Sequence, residues 1–250
     1  MQINNVIYTV QDIAARIDHT VLAPDATIKD IETACELALQ YHFNAVYTNP
    51  YWSPVVAKLL AGSGITTGIS AAFPLGSLST DIKVLEVLHT LESIAAQLGG
   101  HPGEFPCAVD VVTNIGLLKE KRYTEYTKDI AAIVDAVRDH NITVKAIIET
   151  SLLDKELISA ACSCAAEAEV NIVKTSTGRA GQPLLSHIPI MRASLPEEIG
   201  IKFSGFGIAN AAELAICALM LGADLLGSPC GNSIVDTLAS NYKTIAVRLA

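Results

Sequence analysis

The chain has 250 residues, half of them hydrophobic and only 17% charged, with a mean hydropathy of +0.39. That length supports one large core, and the low charge suits a parallel sheet covered by helices on its faces. A net charge of −9 with scattered Lys and Arg excludes a basic nucleic-acid-binding surface, and no apolar run is long enough to span a membrane.

The segment Met1-Gln2-Ile3-Asn4-Asn5 has no positive charge ahead of an apolar stretch, so no secretion signal is expected there. Ala15 to Thr20 is the first candidate strand. Thr27 and Asp30 form a hydroxyl-and-acid helix start, and Ile28, Ile31, Ala34, Cys35 and Ala38 follow at helical spacing. Phe43 to Thr48 is a second strand, and Asn49-Pro50-Tyr51 turns the chain into a helix running to about Leu60. Gly64 to Phe73 is a third strand. The helix after it runs from Ser79 to Gln97, with Val84, Leu85, Leu88 and Leu91 predicted on one side. Gly99 to Pro106 is the one Gly/Pro-rich stretch and is too short for a linker.

Ala108 to Val112 is the fourth strand, Tyr123 to Val137 a helix, and Val144 to Glu149 the fifth strand. A helix over Leu153–Glu167 leads to the sixth strand, which ends at Lys174. A short helix near Pro183–Ala193 and the strand Gly200–Ser204 come next. Asn210 is expected to cap a helix ending at Gly222, Ala223–Gly227 is the eighth strand, and a last helix is predicted over Ser233–Arg248. Eight evenly spaced β/α units in this length predict an α/β chain forming a single-domain (β/α)₈ TIM barrel over residues 1–250. A doubly wound sheet fits less well, because no segment looks like a second domain.

The six cysteines are Cys35, Cys107, Cys162, Cys164, Cys217 and Cys230. Most fall in apolar helix-like or strand-like segments and read as reduced thiols of a cytoplasmic protein. Cys162 and Cys164 form a C-x-C without a second pair, so no metal and no cofactor are predicted.

Barrel chemistry sits at the C-terminal ends of the strands. Asp110, Lys174 and Lys202 interrupt apolar strands there, and alternation turns all three toward the barrel interior. Lys174 and Lys202 lie on consecutive strands, about 4.8 Å apart. A neighbouring ammonium disfavours protonation of the first amine, and a neutral buried lysine forms imines with carbonyls. Asp110 could move protons or anchor the second ammonium. Taken alone, Lys174 also reads as a lysine that snorkels to water, and the trio as an ion-pair cluster without chemistry. Such clusters are costly to bury, and two lysines with one acid are poorly compensated. Asp18 is a candidate for positioning substrate or Lys202. His19 reads either as an acid–base or as polar filler, and Lys145 and Glu149 are expected to pair with each other on one strand face.

These residues carry a resemblance that covers nearly the whole chain. Ile17 to Thr27, Asn49 to Trp52, Phe73 to Gly76, Val109 to Val112, Lys145 to Leu153, Val173 to Gly178 and Gly200 to Gly205 are similar to the deoxyribose-phosphate aldolase family. The runs Ile147-Ile148-Glu149-Thr150 and Lys174-Thr175-Ser176-Thr177-Gly178 are the most specific. The resemblance implies a class I aldolase acting on 2-deoxyribose 5-phosphate, with Lys174 as the imine-forming lysine, Lys202 as the lysine that lowers its pKa, and Asp110 as the acid of a proton relay. It implies substrate contacts at Asp18, Thr177, Gly178, Arg179, Gly205, Gly207, Gly227 and Ser228, and a small aldehyde or sugar phosphate as the partner; whether the chain forms a homo-oligomer is left open by the sequence.

Three positions depart from the family pattern. Where Gly-Gly-Ile-Arg is usual, the chain has Gly205-Phe206-Gly207-Ile208-Ala209; Pro229 replaces a phosphate-binding serine; and Tyr47 stands where a cysteine is often found. The rival readings are the same aldol step on another or unphosphorylated aldehyde, and a sugar-phosphate-binding barrel without turnover.

Overall fold

The computed structural model describes residues 5–241 and 245–248. Eight parallel strands close a barrel in sequence order: β2 (Ile17–Val21), β3 (Ala45–Thr48), β4 (Thr66–Ala71), β5 (Cys107–Val112), β6 (Thr143–Ile147), β7 (Ile172–Lys174), β8 (Gly200–Ser204) and β9 (Leu225–Ser228). The expected (β/α)₈ barrel is therefore the fold. The principal helices around it are α2 (Ile28–Tyr41), α3 (Ser53–Leu59), α4 (Thr80–Leu98), α6 (Tyr123–Val137), α7 (Lys155–Glu167), α8 (His187–Ser194), α9 (Ala211–Met220) and α10 (Gly231–Asn241). Short helices α1 (Val10–Ala14) and α5 (Ile115–Lys119) complete the set. Among the described residues no helix is long and apolar enough to cross a membrane.

Period-two alternation builds the barrel wall. Val109 and Val111, Val144 and Ala146, Ile201 and Phe203 turn outward and join one apolar core with the helices. The inward set is different in kind: Ala45, Tyr47 and Ala108 form a small separate cluster, and the charged side chains lie beside them. Tyr47 needs room at its own level. Its register partner on β4 is Gly68, and a Cβ there would fall inside the tyrosine ring. Gly68→Ala is expected to cost about 1–3 kcal/mol, as overpacking does, read from the midpoint of a urea unfolding curve. An unchanged midpoint would mean that Tyr47 has another place to go.

Several elements differ from the reading of the sequence. On α4 the buried stripe runs through Lys83, Val87, Thr90, Leu91 and Ile94, whereas Leu85 is exposed. The cause is a lysine in a core position: Lys83 donates to Asp129 of α6 at 2.6 Å and to the Val112 carbonyl at 3.2 Å. That pair hides the stripe from a count of apolar residues. Asn210 is the N-cap residue of α9, as expected, but it has a left-handed φ of 54° and its side chain makes no bond to the helix; its carbonyl accepts from the Leu214 N–H at 3.0 Å. The last helix ends at Asn241. Ile245–Arg248 is a strand, β10, paired antiparallel with β1 (Asn5–Tyr8) in a two-stranded ribbon outside the barrel. Residues 1–4, on which the secretion-signal expectation rests, and residues 242–244 and 249–250 lie outside the described residues.

Candidate active site

Three buried lysines and two buried aspartates form one alternating chain across the barrel interior. Lys174 on β7 donates to Asp110 Oδ2 at 2.8 Å, and Lys202 on β8 donates to the same oxygen at 2.7 Å. Lys202 also lies 2.6 Å from Asp18 Oδ2, and Lys145 on β6 lies 2.6 Å from that oxygen. The order is Lys145, Asp18, Lys202, Asp110, Lys174, and none of the five is more than 2% exposed. Register explains the meeting: Lys174 pairs with Lys202, and Asp110 pairs with Lys145.

The charges set one another. Burial draws the Lys174 amine down to about 8; the Asp110 carboxylate opposes the drop and the Lys202 ammonium adds to it. For Lys202 burial also disfavours the charge, but the carboxylates of Asp110 and Asp18 prevail and hold it above the ordinary lysine value. Burial pushes Asp110 up, yet the ammonium groups of Lys174, Lys202 and Lys145 hold it well below the usual carboxylate range. Of the two lysines that share Asp110, Lys174 is thus the one more easily made neutral.

Of the five, Lys174 alone lines the cavity at the C-terminal mouth of the barrel, which has a volume of about 790 Å³. The other predicted substrate residues divide by position. Thr177, Gly178, Arg179, Gly205, Gly207 and Gly227 line the same cavity. Gly178 and Gly205 both have left-handed φ values, 78° and 90°, and a Cβ on either would strike the other's backbone, so the loops after β7 and β8 touch only because both are glycine. Asp18 lies off this wall, beneath Lys202, with Asn44 donating to its other oxygen at 2.6 Å. Ser228 points outward, as its place next to inward Gly227 dictates, and approaches Cys230 at 3.2 Å.

The phosphate-side departures also have definite positions. Phe206 is buried and stacks on Phe203 with ring centroids 5.1 Å apart. Ile208 is 69% exposed at the rim. Arg179 donates to the Leu22 carbonyl at 3.1 Å across the cavity mouth. The expected Lys145–Glu149 pair does not form. Lys145 has Asp18, while Glu149 lies past the end of β6 with a left-handed φ of 51° and accepts the Thr177 hydroxyl at 2.6 Å. The strand ends before Glu149, so the shared face predicted for the two does not exist.

Two residues gain importance that the sequence did not suggest. Tyr47 places its ring 3.9 Å from Lys202 Nζ and 5.0 Å from Lys145 Nζ, cation–π distances between buried groups. Its hydroxyl and Asp110 Oδ1 are buried without a hydrogen-bond partner among the described residues. Inward parity in β3 was the available signal for Tyr47. For Lys145 it was inward parity in β6. His19 is outward by strand parity and stacks on Phe43 at 5.3 Å, yet it also lines the mouth cavity, and burial lowers it to about 4.

Comparison with known proteins gives a consistent picture. No family model matches the chain. A deoxyribose-phosphate aldolase of Clostridium novyi is 36% identical over 221 residues, 88% of this chain and 93% of that one. One from Carboxydothermus hydrogenoformans is 38% identical over 231 residues, 91% and 96% of the two chains. The deoxyribose phosphate aldolase structure from Aeropyrum pernix, described as a unique tetramer, superposes with a TM-score of 0.79 at 26% identity, covering 93% of each chain.

Proposed function

The chain belongs to the deoxyribose-phosphate aldolase family, and from that premise we propose that it reversibly cleaves 2-deoxyribose 5-phosphate to acetaldehyde and glyceraldehyde 3-phosphate. The observation that carries the reading is the sharing of one Asp110 oxygen by Lys174 and Lys202, with Lys174 alone of the five open to the mouth. Lys174 Nζ adds to C1 of the open-chain aldehyde. Loss of water, with uptake of one proton, leaves an iminium. A base removes the C3 hydroxyl proton as the C2–C3 bond breaks; its electrons flow to the iminium nitrogen, glyceraldehyde 3-phosphate departs, and an enamine remains. Protonation of the enamine at C2 and hydrolysis release acetaldehyde and restore the amine. Asp110 and Lys202 manage these protons. Asp110 Oδ1 suits that task, because Oδ2 is held by both ammonium groups and Oδ1 has no partner among the described residues. The substrate would lie along Thr177, Gly178, Arg179, Gly205, Gly207 and Gly227, with Asp18 and Ser228 supporting from behind the cavity wall.

We take residues 1–250 as one barrel domain, place it in the cytoplasm on its free cysteines, and expect a homo-oligomer, in line with the tetrameric relative from Aeropyrum pernix. The activity is tested by following acetaldehyde release from 2-deoxyribose 5-phosphate. No release, with the protein folded, would remove the reading.

A second reading, the same cleavage on unphosphorylated sugar, is favoured by Ala209 and Pro229 at the phosphate end. A charge-assisted contact is worth about 1.5–3 kcal/mol, roughly 10- to 150-fold in a rate ratio. The ratio of kcat/KM for 2-deoxyribose 5-phosphate over 2-deoxyribose is expected to be lower than in a relative with Gly-Gly-Ile-Arg and the serine. Arg179→Ala should lower it further by about 10-fold or more. A strong phosphate preference that survives Arg179→Ala would show that the loops bind phosphate without these groups.

A further inference from the structure

We propose that Lys145 is a positioning residue for the reaction at Lys174: by occupying Asp18 from the far side, it makes Lys174 the uncharged member of the buried chain. The inference rests on the imine reading above.

The argument begins with a count. Three lysines and two aspartates, fully ionised, carry one positive charge in excess within the buried barrel interior. Burying an unbalanced charge is costly, so the cluster favours loss of one proton. Lys202 sits between both carboxylates and keeps its proton. The choice falls on the two ends, Lys145 and Lys174, each of which shares its only carboxylate with Lys202.

The ends are not equivalent. Lys145 lies 5.0 Å from the Tyr47 ring, which favours its cation. Its carboxylate, Asp18, is further stabilised as an anion by the Asn44 amide at 2.6 Å. Among the described residues Asp110 has no amide donor of that kind, and its Oδ1 makes no hydrogen bond of normal geometry; the nearby donor is the neutral Tyr47 hydroxyl, whose proton Asp110 helps to retain. Lys145 is also remote from the substrate side. It pairs in register with Ile172, two residues before Lys174, and lines a separate cavity of about 520 Å³ at the N-terminal end of the barrel. It therefore acts on the imine step only through Asp18, Lys202 and Asp110. Burial lowers the Lys145 amine as well, Asp18 of β2 and Asp110 of β5 oppose the drop, Lys202 of β8 adds to it, and the Tyr47 ring of β3 lies beside it.

Removing the charge at Lys145 balances the cluster with Lys174 protonated, so imine formation should require a higher pH. Removing the charge at Asp18 does the opposite. The experiment treats the full chain with acetaldehyde and cyanoborohydride over a range of pH and maps the ethyl group by peptide mass. In Lys145→Met, alkylation of Lys174 should begin about one pH unit higher than in the unaltered protein. In Asp18→Asn it should begin lower. The double variant Lys145→Met/Asp18→Asn removes one charge of each sign and should return close to the original profile. Opposite shifts in the two single variants cannot come from general loosening of the barrel. Unshifted onsets, or shifts of the same sign in both, with Lys174 still the residue modified, would overturn the inference. Absence of the ethyl group from Lys174 in the unaltered protein would instead overturn the imine reading itself.

Discussion

Lys174→Leu should abolish both imine trapping and carbon–carbon bond cleavage while leaving the barrel at least as stable as before. The nucleophile has no substitute. Lys202 is held by two carboxylates and kept charged, and neither it nor Lys145 lines the mouth cavity. Turnover should fall by at least about 10³-fold, on the scale seen when a covalent nucleophile is removed. Stability should not fall with it. Leucine fills most of the lysine stem's volume, and the two remaining ammonium groups, Lys145 and Lys202, still balance the two carboxylates of Asp18 and Asp110. Replacing buried ions by apolar groups is often neutral or favourable. The measurements are acetaldehyde release, peptide mapping after borohydride reduction, and a urea unfolding curve. Ethylation of Lys202 or Lys145 in this variant, with residual turnover, would show that the assignment of the nucleophile is wrong.

That prediction was largely available from the sequence. Parity in short apolar strands gave the inward direction of Asp110, Lys174 and Lys202, and consecutive strands brought two of them side by side. Parity works here because every barrel strand is buried on its outer face, so a one-residue slip would expose a whole core row. What parity cannot give is which inward charges meet across the barrel. Spacing within one strand pairs Lys145 with Glu149. Lys145 belongs instead to Asp18, four strands away around the closed wall. β6 ends before Glu149, which takes a left-handed turn and bonds Thr177 of the next loop, a contact that no local pattern records. The buried Lys83–Asp129 pair defeated the reading of α4 in the same way, since its partners are on separate helices. The antiparallel pairing of β1 with β10 joins the two ends of the chain, a contact that periodicity alone does not reveal.

Asp110→Asn separates the two jobs proposed for this carboxylate, Oδ2 holding the two ammonium groups and Oδ1 moving protons. In the native site Asp110 Oδ2 holds Lys174 at 2.8 Å and Lys202 at 2.7 Å, and its negative charge raises the pKa of Lys174 against the drop caused by burial. Loss of that charge leaves two amines with a weaker screen between them, so Lys174 should become neutral at lower pH, and imine trapping should begin at lower pH than in the unaltered protein. Turnover should move the other way. Asparagine cannot take the C3 hydroxyl proton or return one to the enamine, and a positioned acid–base contributes about 10²–10⁴-fold. The expected result is therefore a split: trapping retained and displaced toward acid, with kcat for cleavage reduced by two to four orders of magnitude. Single-turnover trapping and steady-state cleavage, measured on one preparation across pH, would reveal it. If both fall equally and the trapping profile stays in place, Asp110 serves to hold Lys202, and the proton must travel by another group. The unpartnered Tyr47 hydroxyl would then be the next residue to change, since it is buried and Asp110 is among the charges that raise its pKa.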